Sequence, residues 1–193
     1  MTNPSYDPDQ RARLLAAARK SIAYGAQTTV VFPLDLEEWE PAFQELTASF
    51  VTLRNQGRLR GCIGSLRAYR ALIEDVVNNA YAAALQDPRF PGVRPDEVAE
   101  LSVHISVLGP PSRIHCADEA ELLATLRPGV DGLILADGQQ RATYLPSVWE
   151  KLPSPVEFVR ELKHKMGVSP EYWSASLIAS RYTVESFGDD EMA

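Results

Sequence analysis

The chain has 193 residues, 45% of them hydrophobic and 23% charged, with a formal net charge of −7 and a pI near 5.0. This composition is typical of a soluble globular protein, and its acidic excess argues against nucleic-acid binding, which depends on many Lys and Arg contacts to phosphates. No apolar run reaches the roughly 18–20 residues of a membrane span and no signal-peptide pattern is present, so we expect a cytoplasmic protein without membrane contact.

The first half of the chain is predicted to hold two helices and one hairpin. Asp-Pro-Asp-Gln at residues 7–10 has the order of a capping box and begins the first helix. Residues 50–66 read as a β-hairpin with its turn at Asn55-Gln56-Gly57. A second helix is expected over about residues 69–85, and Asp-Pro-Arg-Phe-Pro at residues 87–91 ends it, because proline cannot continue a helix.

The second half of the chain is predicted to alternate strands with short helices. The strand regions are residues 101–108, 132–145 and 181–187, and the helices are residues 118–126, 154–166 and a further short helix that begins at residue 169. The middle strand region contains an Asp-Gly turn and is therefore a second hairpin. Hairpins with helices between them indicate an α+β fold with a mainly antiparallel sheet. Since no low-complexity linker divides the sequence, residues 1–193 are treated as a single domain.

The return strand of the first hairpin gives the strongest indication of a site. It contains Leu-Arg-Gly-Cys-Ile-Gly at residues 59–64, and alternation along a strand assigns its residues to two faces. One face carries Leu59, Gly61 and Ile63, and the other carries Arg58, Arg60, Cys62 and Gly64. Glycine in a strand usually marks a bulge or a close approach of the backbone to something else. We therefore predict a site on the face that holds Cys62.

The same region is locally basic although the chain is acidic. Residues 54–70 contain no acidic residue and five arginines, Arg54, Arg58, Arg60, Arg67 and Arg70. Two interpretations stay open. One is a pocket for a carboxylate or phosphate, bound by arginine and by backbone N–H groups at Gly61 and Gly64. The other is a solvated strand face whose arginines pair with acidic residues elsewhere.

Cys62 is the candidate nucleophile, because neighbouring arginines would favour its thiolate. His104, on the polar face of its strand, is the candidate base. The alternatives are a small buried hydrophobic residue for Cys62 and a half-buried strand residue for His104. The three histidines lack any metal-ligand spacing and the two cysteines form no C-x-x-C pair, so we expect no metal, no disulfide and no cofactor.

A second cluster follows the predicted second helix. Asp87, Arg89 and Phe90 lie in a loop that could fold back over the edge of the hairpin and contribute to ligand binding. Alternatively, Asp87 and Arg89 simply satisfy backbone groups within their own loop. Asn79, beside the apolar stripe of the helix, could face the same site, although a solvent-facing asparagine fits the pattern as well.

These segments together resemble one known family. The motif at residues 59–65, Asp-Pro-Arg-Phe-Pro at 87–91 and Leu-Ser-Val-His-Ile-Ser-Val-Leu at 101–108 are similar to the AMMECR domain family, whose prokaryotic members are called the A protein of the AmmeMemoRadiSam system. The similarity extends over about residues 14–187. It implies an α+β fold with a curved, barrel-like, mainly antiparallel sheet, surrounding helices, and a cleft between a larger and a smaller lobe.

The resemblance implies partners more clearly than a reaction. Prokaryotic members are found beside, or fused to, a Memo-type dioxygenase-like protein and a radical S-adenosylmethionine (SAM) enzyme. Any iron–sulfur cluster would then belong to a partner, since two cysteines cannot hold one. Many relatives carry a cysteine near Lys163 or His164, which is absent here. Two hypotheses follow: a ligand- or partner-binding component that works with these two proteins, which we favour, or an enzyme that uses Cys62 on a small anionic substrate.

Overall fold

The computed structural model describes residues 5–189, so both ends of the predicted 1–193 domain lie outside the described residues. The helices of the described range are α1 (Pro8–Thr28), α2 (Pro41–Gln44), α3 (Leu72–Leu85), α4 (Glu119–Thr125) and α5 (Pro155–Met166). The strands are β1 (Ser49–Asn55), β2 (Arg58–Gly64), β3 (Leu101–Leu108), β4 (Ser112–Ile114), β5 (Gly132–Asp137), β6 (Gln140–Tyr144), β7 (Ile178–Tyr182) and β8 (Val184–Gly188). Within this range no helix has the length and hydropathy needed to cross a membrane.

The chain divides into two compact units, each with its own sheet. The described part of the larger unit comprises residues 5–108 and 185–189, and the smaller unit comprises residues 109–184. The four-stranded sheets have the orders β2-β1-β3-β8 and β4-β7-β5-β6, and the strand pairs have antiparallel register. The predicted α+β class and antiparallel arrangement are confirmed, and among the described strands both sheets are open at their ends.

The larger unit is formed by α1 and α3 packing on one face of its sheet. The capping box predicted for α1 is present, because Asp7 accepts the N–H of Gln10 and the Gln10 side chain accepts the N–H of Asp7. The core includes Leu14, Ile22, Val51, Leu53, Leu72, Ile73, Val76, Val103 and Ile105. Each fully buried side chain of this size contributes roughly 1.5–3 kcal/mol, and together they fix which face of the sheet the helices cover.

The smaller unit has a separate core beneath α5. Trp149 stacks on Phe158 with ring centroids 3.7 Å apart and an interplanar angle of 4°, and Leu133 and Leu162 are fully buried beside them. Lys163 is a buried cation of this core, and its Nζ donates to a Glu119 carboxylate oxygen at 2.6 Å and to a backbone carbonyl at 2.8 Å. The ammonium group is therefore compensated inside the unit.

A β-bulge interrupts the return strand of the first hairpin. Leu53 pairs with Gly61, but the next residue of β1, Arg54, pairs with Leu59, so that Arg60 is the extra residue. The prediction that Leu59 shares a face with Gly61 is therefore wrong. So is the prediction that Arg58 shares a face with Cys62, because Arg58 pairs with Asn55. The register assigns Leu59 to the face of Arg54, and 39% of the residue is exposed.

Candidate functional site

Three polar side chains form a row across the larger sheet. The register places Cys62 opposite Thr52 in β1, and Thr52 opposite His104 in β3. The Thr52 hydroxyl donates to the Cys62 sulfur at 3.3 Å. Because the flanking residues Val51 and Leu53 are fully buried against the helices, strand alternation puts the row on the opposite face of the sheet. The predicted thiol and base thus share one face, with a hydroxyl between them.

The row does not bring the thiol and the imidazole into contact. Cys62 and His104 lie two strands apart, about 10 Å between backbones, whereas proton transfer requires heavy atoms about 2.6–3.2 Å apart. A Cβ added at Gly188 of β8 would overlap the imidazole of His104. His104 therefore leans towards β8, the neighbour of β3 on the side away from Cys62.

The loop after α3 binds the free edge of β2 at Cys62. The Asp87 carboxylate accepts the backbone N–H of Cys62 at 2.9 Å, and the Arg89 guanidinium donates to the Cys62 carbonyl at 3.2 Å. Arg89 also donates to both Asp87 oxygens, at 2.9 and 2.6 Å. We call Asp87 and Arg89 the Cys62 clamp. The loop thus folds back over the hairpin edge, and Asp87 also accepts the N–H of Arg89 within the loop. Its contribution to ligand binding stays a prediction.

The Cys62 clamp is an ion pair with one buried and one accessible partner. The side chain of Asp87 is 2% exposed and that of Arg89 54% exposed. Hydrogen bonds from the Arg89 guanidinium hold the pKa of Asp87 well below its ordinary value, and Asp87 in turn raises the pKa of Arg89. Phe90 packs beside the pair, with the Arg89 Cζ 5.5 Å from its ring centroid. The clamp stays ionised at neutral pH.

The two glycines that flank Cys62 are occupied by contacts within the protein. A Cβ added at Gly61 would overlap the backbone carbonyl oxygen of Ala83, so glycine is what lets α3 approach β2. A Cβ added at Gly64 would overlap the ring of Phe50, its partner in β1. Close approach was predicted at both positions, and the approaching groups are a helix backbone and an aromatic ring.

The arginines of the basic segment reach different partners. Arg60 forms two hydrogen bonds to Glu97, at 2.5 and 3.0 Å, and lowers the pKa of that carboxyl. Arg70 pairs with Asp75 at 2.8 Å. The remaining three are Arg54, which donates to the carbonyl of its own turn, and Arg58 and Arg67, which are exposed. Arg60 and Arg70 thus follow the second interpretation, in which arginines pair with acidic residues elsewhere.

Asn79 belongs to a buried polar network around Asp75. Asp75 is 1% exposed, and its carboxylate accepts hydrogen bonds from the side chains of Ser49, Ser65, Arg70 and Asn79. Asn79 also donates to the Ser49 carbonyl at 3.0 Å, so it joins α3 to the start of β1. The sequence reading missed Asp75, whose signal is a carboxylate inside the apolar stripe of α3.

The geometry offers one preorganised thiol and no metal site among the described residues. Within residues 5–189, no group of three or more His, Cys, Asp or Glu side chains is placed to hold a metal ion. Cys62 is half-buried, its backbone is held by the Cys62 clamp, and its sulfur accepts from Thr52. The face can therefore present a fixed thiol and hydroxyl to a ligand or a partner.

Comparison with known proteins identifies similar chains. The AMMECR1 family model matches residues 15–187. A protein of Methanothermobacter thermautotrophicus is 34% identical over 77% of this chain and 78% of its own length. A protein of Thermococcus gammatolerans is 35% identical over 92% of this chain and 89% of its own. The crystal structure of uncharacterized protein PH0010 from Pyrococcus horikoshii is similar with a TM-score of 0.81 and 30% identity, over 92% of this chain and 90% of that one.

Proposed function

This chain belongs to the AMMECR1 family, and from that premise we propose that it is a partner-binding component of a complex with a Memo-type dioxygenase-like protein and a radical SAM enzyme. The partners come from the family resemblance carried by the motifs at residues 59–65, 87–91 and 101–108. The proposed contact surface is the β1–β2 hairpin with the segments that adjoin it. The observation that carries the proposal is the group of exposed apolar side chains at the open end of this hairpin.

Exposed large apolar residues lie at both ends of this hairpin, with Leu59 near its turn and the others near its open end. Of the eight in the described range, four fall within residues 46–69, namely Leu46 (67% exposed), Leu59 (39%), Leu66 (45%) and Tyr69 (63%). Isolated exposed apolar residues such as Leu59 need no explanation, whereas neighbouring ones are characteristic of protein–protein contact, and Leu46 and Tyr69 are brought together by the contacts of Thr47 with Arg70 and of Leu46 with Ala71. Exposed Arg58 and Arg67 accompany them, and arginine is enriched at such interfaces.

The loop that carries Leu66 and Tyr69 is held at both ends. At one end the Ser65 N–H donates to the Ser49 carbonyl at 2.9 Å, and at the other the Arg70 carbonyl accepts the N–H of Thr47 at 3.3 Å. The Asp75 carboxylate binds the side chains of both end residues. Because the loop is already ordered, docking through it costs less conformational entropy than docking through a mobile segment.

The charges near Cys62 favour binding over covalent catalysis. Arg60 is committed to Glu97, and Asp87 to Arg89 and to the Cys62 backbone. The imidazole of His104 leans towards β8. An acyl-transfer or thiol-addition reaction needs a general base within reach of the thiol, and none of these groups is placed to act as one.

A second function is supported by the hydrogen bond between Thr52 and Cys62. A hydroxyl that donates to the sulfur, in one row with His104, suits an enzyme that uses Cys62 on a small anionic substrate. Such an enzyme requires the thiol itself, whereas a docking surface requires the apolar side chains. Substitutions at Cys62 and at Tyr69 therefore separate the two functions.

The test is co-purification of the tagged chain with the two partner proteins expressed in the same cells. We expect Tyr69→Ser and Leu46→Ser to reduce partner recovery at least about fivefold, within the range for interface residues. Val156→Ser is the matched control, because Val156 is an apolar residue of the smaller unit with 57% exposure; it should leave recovery unchanged, as should Cys62→Ser. Full recovery with both Tyr69→Ser and Leu46→Ser would overturn the docking surface. If activity depended on Cys62 and recovery did not depend on Tyr69, the enzyme would be the better account.

A further inference from the structure

The smaller unit contains a polar cavity that involves neither Cys62 nor the exposed apolar residues of the hairpin. Its volume is about 340 Å³, and it lies where β7 ends. Its walls include Pro110, Pro111, Arg127, Asp131, Arg181 and Thr183. The volume is at the lower end of the roughly 300–1,000 Å³ found for small-molecule sites. The size therefore suits a small organic ligand.

The carboxylate in this cavity, that of Asp131, accepts its hydrogen bonds from a single arginine, Arg127. Asp131 has a side chain that is 0% exposed, and it accepts the backbone N–H of Arg127 at 3.0 Å. The Arg127 guanidinium donates to the same carboxylate at 3.1 Å through Nε and at 2.6 Å through Nη2. Asp131 also fixes its own backbone, because its carbonyl accepts the indole N–H of Trp149 at 2.7 Å. These hydrogen bonds hold the Arg127–Asp131 pair in a fixed position on one side of the cavity.

Arg181 is the cation of the cavity without a strong partner. Its Nη1 lies 4.0 Å from an Asp131 oxygen, beyond hydrogen-bonding distance, and its side chain is only 36% exposed. Within residues 5–189 its guanidinium group donates no hydrogen bond. A guanidinium group has five N–H donors, and at 36% exposure those of Arg181 are open to water and to a ligand. An acceptor supplied from outside the chain would complete this arrangement.

We propose that this cavity binds a small organic acid through a single carboxylate group, held by Arg181 and by the outward edge of Arg127. Two guanidinium groups against one carboxylate leave a single positive charge, in a chain whose formal net charge is −7. A monocarboxylate neutralises that charge, and its planar oxygens match the guanidinium fork. A phosphate dianion would leave surplus negative charge beside the buried Asp131. The rings of Pro110 and Pro111 provide apolar contact for the rest of the ligand.

Titration calorimetry of the full chain with benzoate tests the proposal, with chloride and inorganic phosphate as comparison anions. Benzoate should bind, and Arg181→Met should weaken it about tenfold or more, the scale expected for a lost charge-assisted contact. Because Arg181 makes no strong internal contact, the variant should keep the wild-type unfolding midpoint. Arg181→Lys retains the charge without the fork and should bind with intermediate affinity. Arg113→Met, an exposed arginine of β4 in the same unit, should change the affinity less than twofold.

Three outcomes would overturn the proposal. The first is that benzoate gives no binding heat and no protection against unfolding in the wild type. The second is tighter binding of phosphate than of benzoate, which would assign the cavity to a different anion. The third is equal affinity in the wild type and Arg181→Met, which would place the acid elsewhere. None of these outcomes bears on the docking surface of the hairpin, because the residues involved are different.

Discussion

The Asp87 carboxylate accepts the backbone N–H of Cys62 across a separation of 25 residues in the chain. Arg89 completes the contact by donating to the Cys62 carbonyl. The outer N–H and C=O of one residue on an edge strand are thus satisfied by a side-chain ion pair where a neighbouring strand would otherwise bind. Such a contact protects an exposed edge, and it also fixes the backbone from which the thiol projects.

Replacing Asp87 with asparagine tests the contribution of the Cys62 clamp to stability. The variant keeps an acceptor for the Cys62 N–H but loses the ion pair with Arg89. Because the Arg89 side chain is 54% exposed, solvent screens part of the interaction, and we expect a loss of about 1–3 kcal/mol in the free energy of unfolding by urea. Asp96→Asn is the control, since Asp96 also pairs with an arginine but is 70% exposed. Equal losses in the two variants would contradict a special role for the clamp.

The clamp also predicts how stability depends on pH. The pKa of Asp87 in the folded protein lies below its ordinary value of 3.8, so between the two values the unfolded chain binds more protons than the folded one. The stability from this group is therefore fully present above about pH 4–5 and declines as the pH falls further. The difference in unfolding free energy between wild type and Asp87→Asn should be smaller at pH 3 than at pH 7. If this difference in unfolding free energy became larger as the pH fell, the predicted role of the Asp87 carboxylate would be wrong.

The backbone contact at Gly61 predicts a strict requirement for glycine. A Cβ there meets the Ala83 carbonyl oxygen, which belongs to the backbone of α3 and cannot move without shifting the helix. We expect Gly61→Ala to cost about 1–3 kcal/mol or more, as for other overpacked sites. Gly64→Ala is the comparison, because its obstacle is the ring of Phe50, a half-buried side chain that can rotate. Thermal unfolding of both variants should rank Gly61→Ala as the less stable, and the reverse order would refute this reading of the two glycines.

Local sequence patterns were sufficient for most helices and for the two hairpins, but not for the C-terminal region, where the strand expected over residues 181–187 is divided between β7 and β8 and the helix expected from residue 169 does not form. The capping box at residues 7–10 and the glycines around Cys62 depend on neighbours in the chain, so spacing alone identifies them. Strand alternation assigned Cys62 and His104 to a face of their own strands, but that the two faces are the same is visible only in the register. The proposal that the Asp87 loop returns to the hairpin needed only chain order.

Features that depend on distant partners were not predictable in this way. The bulge at Arg60 is visible only when β2 is aligned with β1, because one strand does not reveal which residue is extra. Arg60 pairs with Glu97 across 37 residues, and no spacing rule links positions that far apart. An arginine cluster in the sequence therefore does not establish an arginine cluster in space.

Among the polar substitutions, we expect Asp75→Asn to cause the largest loss in the free energy of unfolding. The two carboxylate oxygens of Asp75 accept from the side chains of Ser49, Ser65, Arg70 and Asn79 and from the Ser49 N–H. In Asp75→Asn one oxygen becomes an amide that faces donors, and Arg70 loses its counter-charge. Breaking a buried ion pair from one side costs about 3–5 kcal/mol, and we expect a loss of that size in urea unfolding.

Asp9→Asn, at an exposed position of α1, is the control and should cost less than about 0.5 kcal/mol. Hydrogen exchange gives an independent measurement, because the Asp75 carboxylate holds both ends of the loop that carries Leu66 and Tyr69. The Ser65 N–H, bonded to the Ser49 carbonyl, should exchange faster in Asp75→Asn relative to amides in α5. Uniform acceleration in both places would mean that the substitution lowers global stability alone, and that the loop owes its order to other contacts.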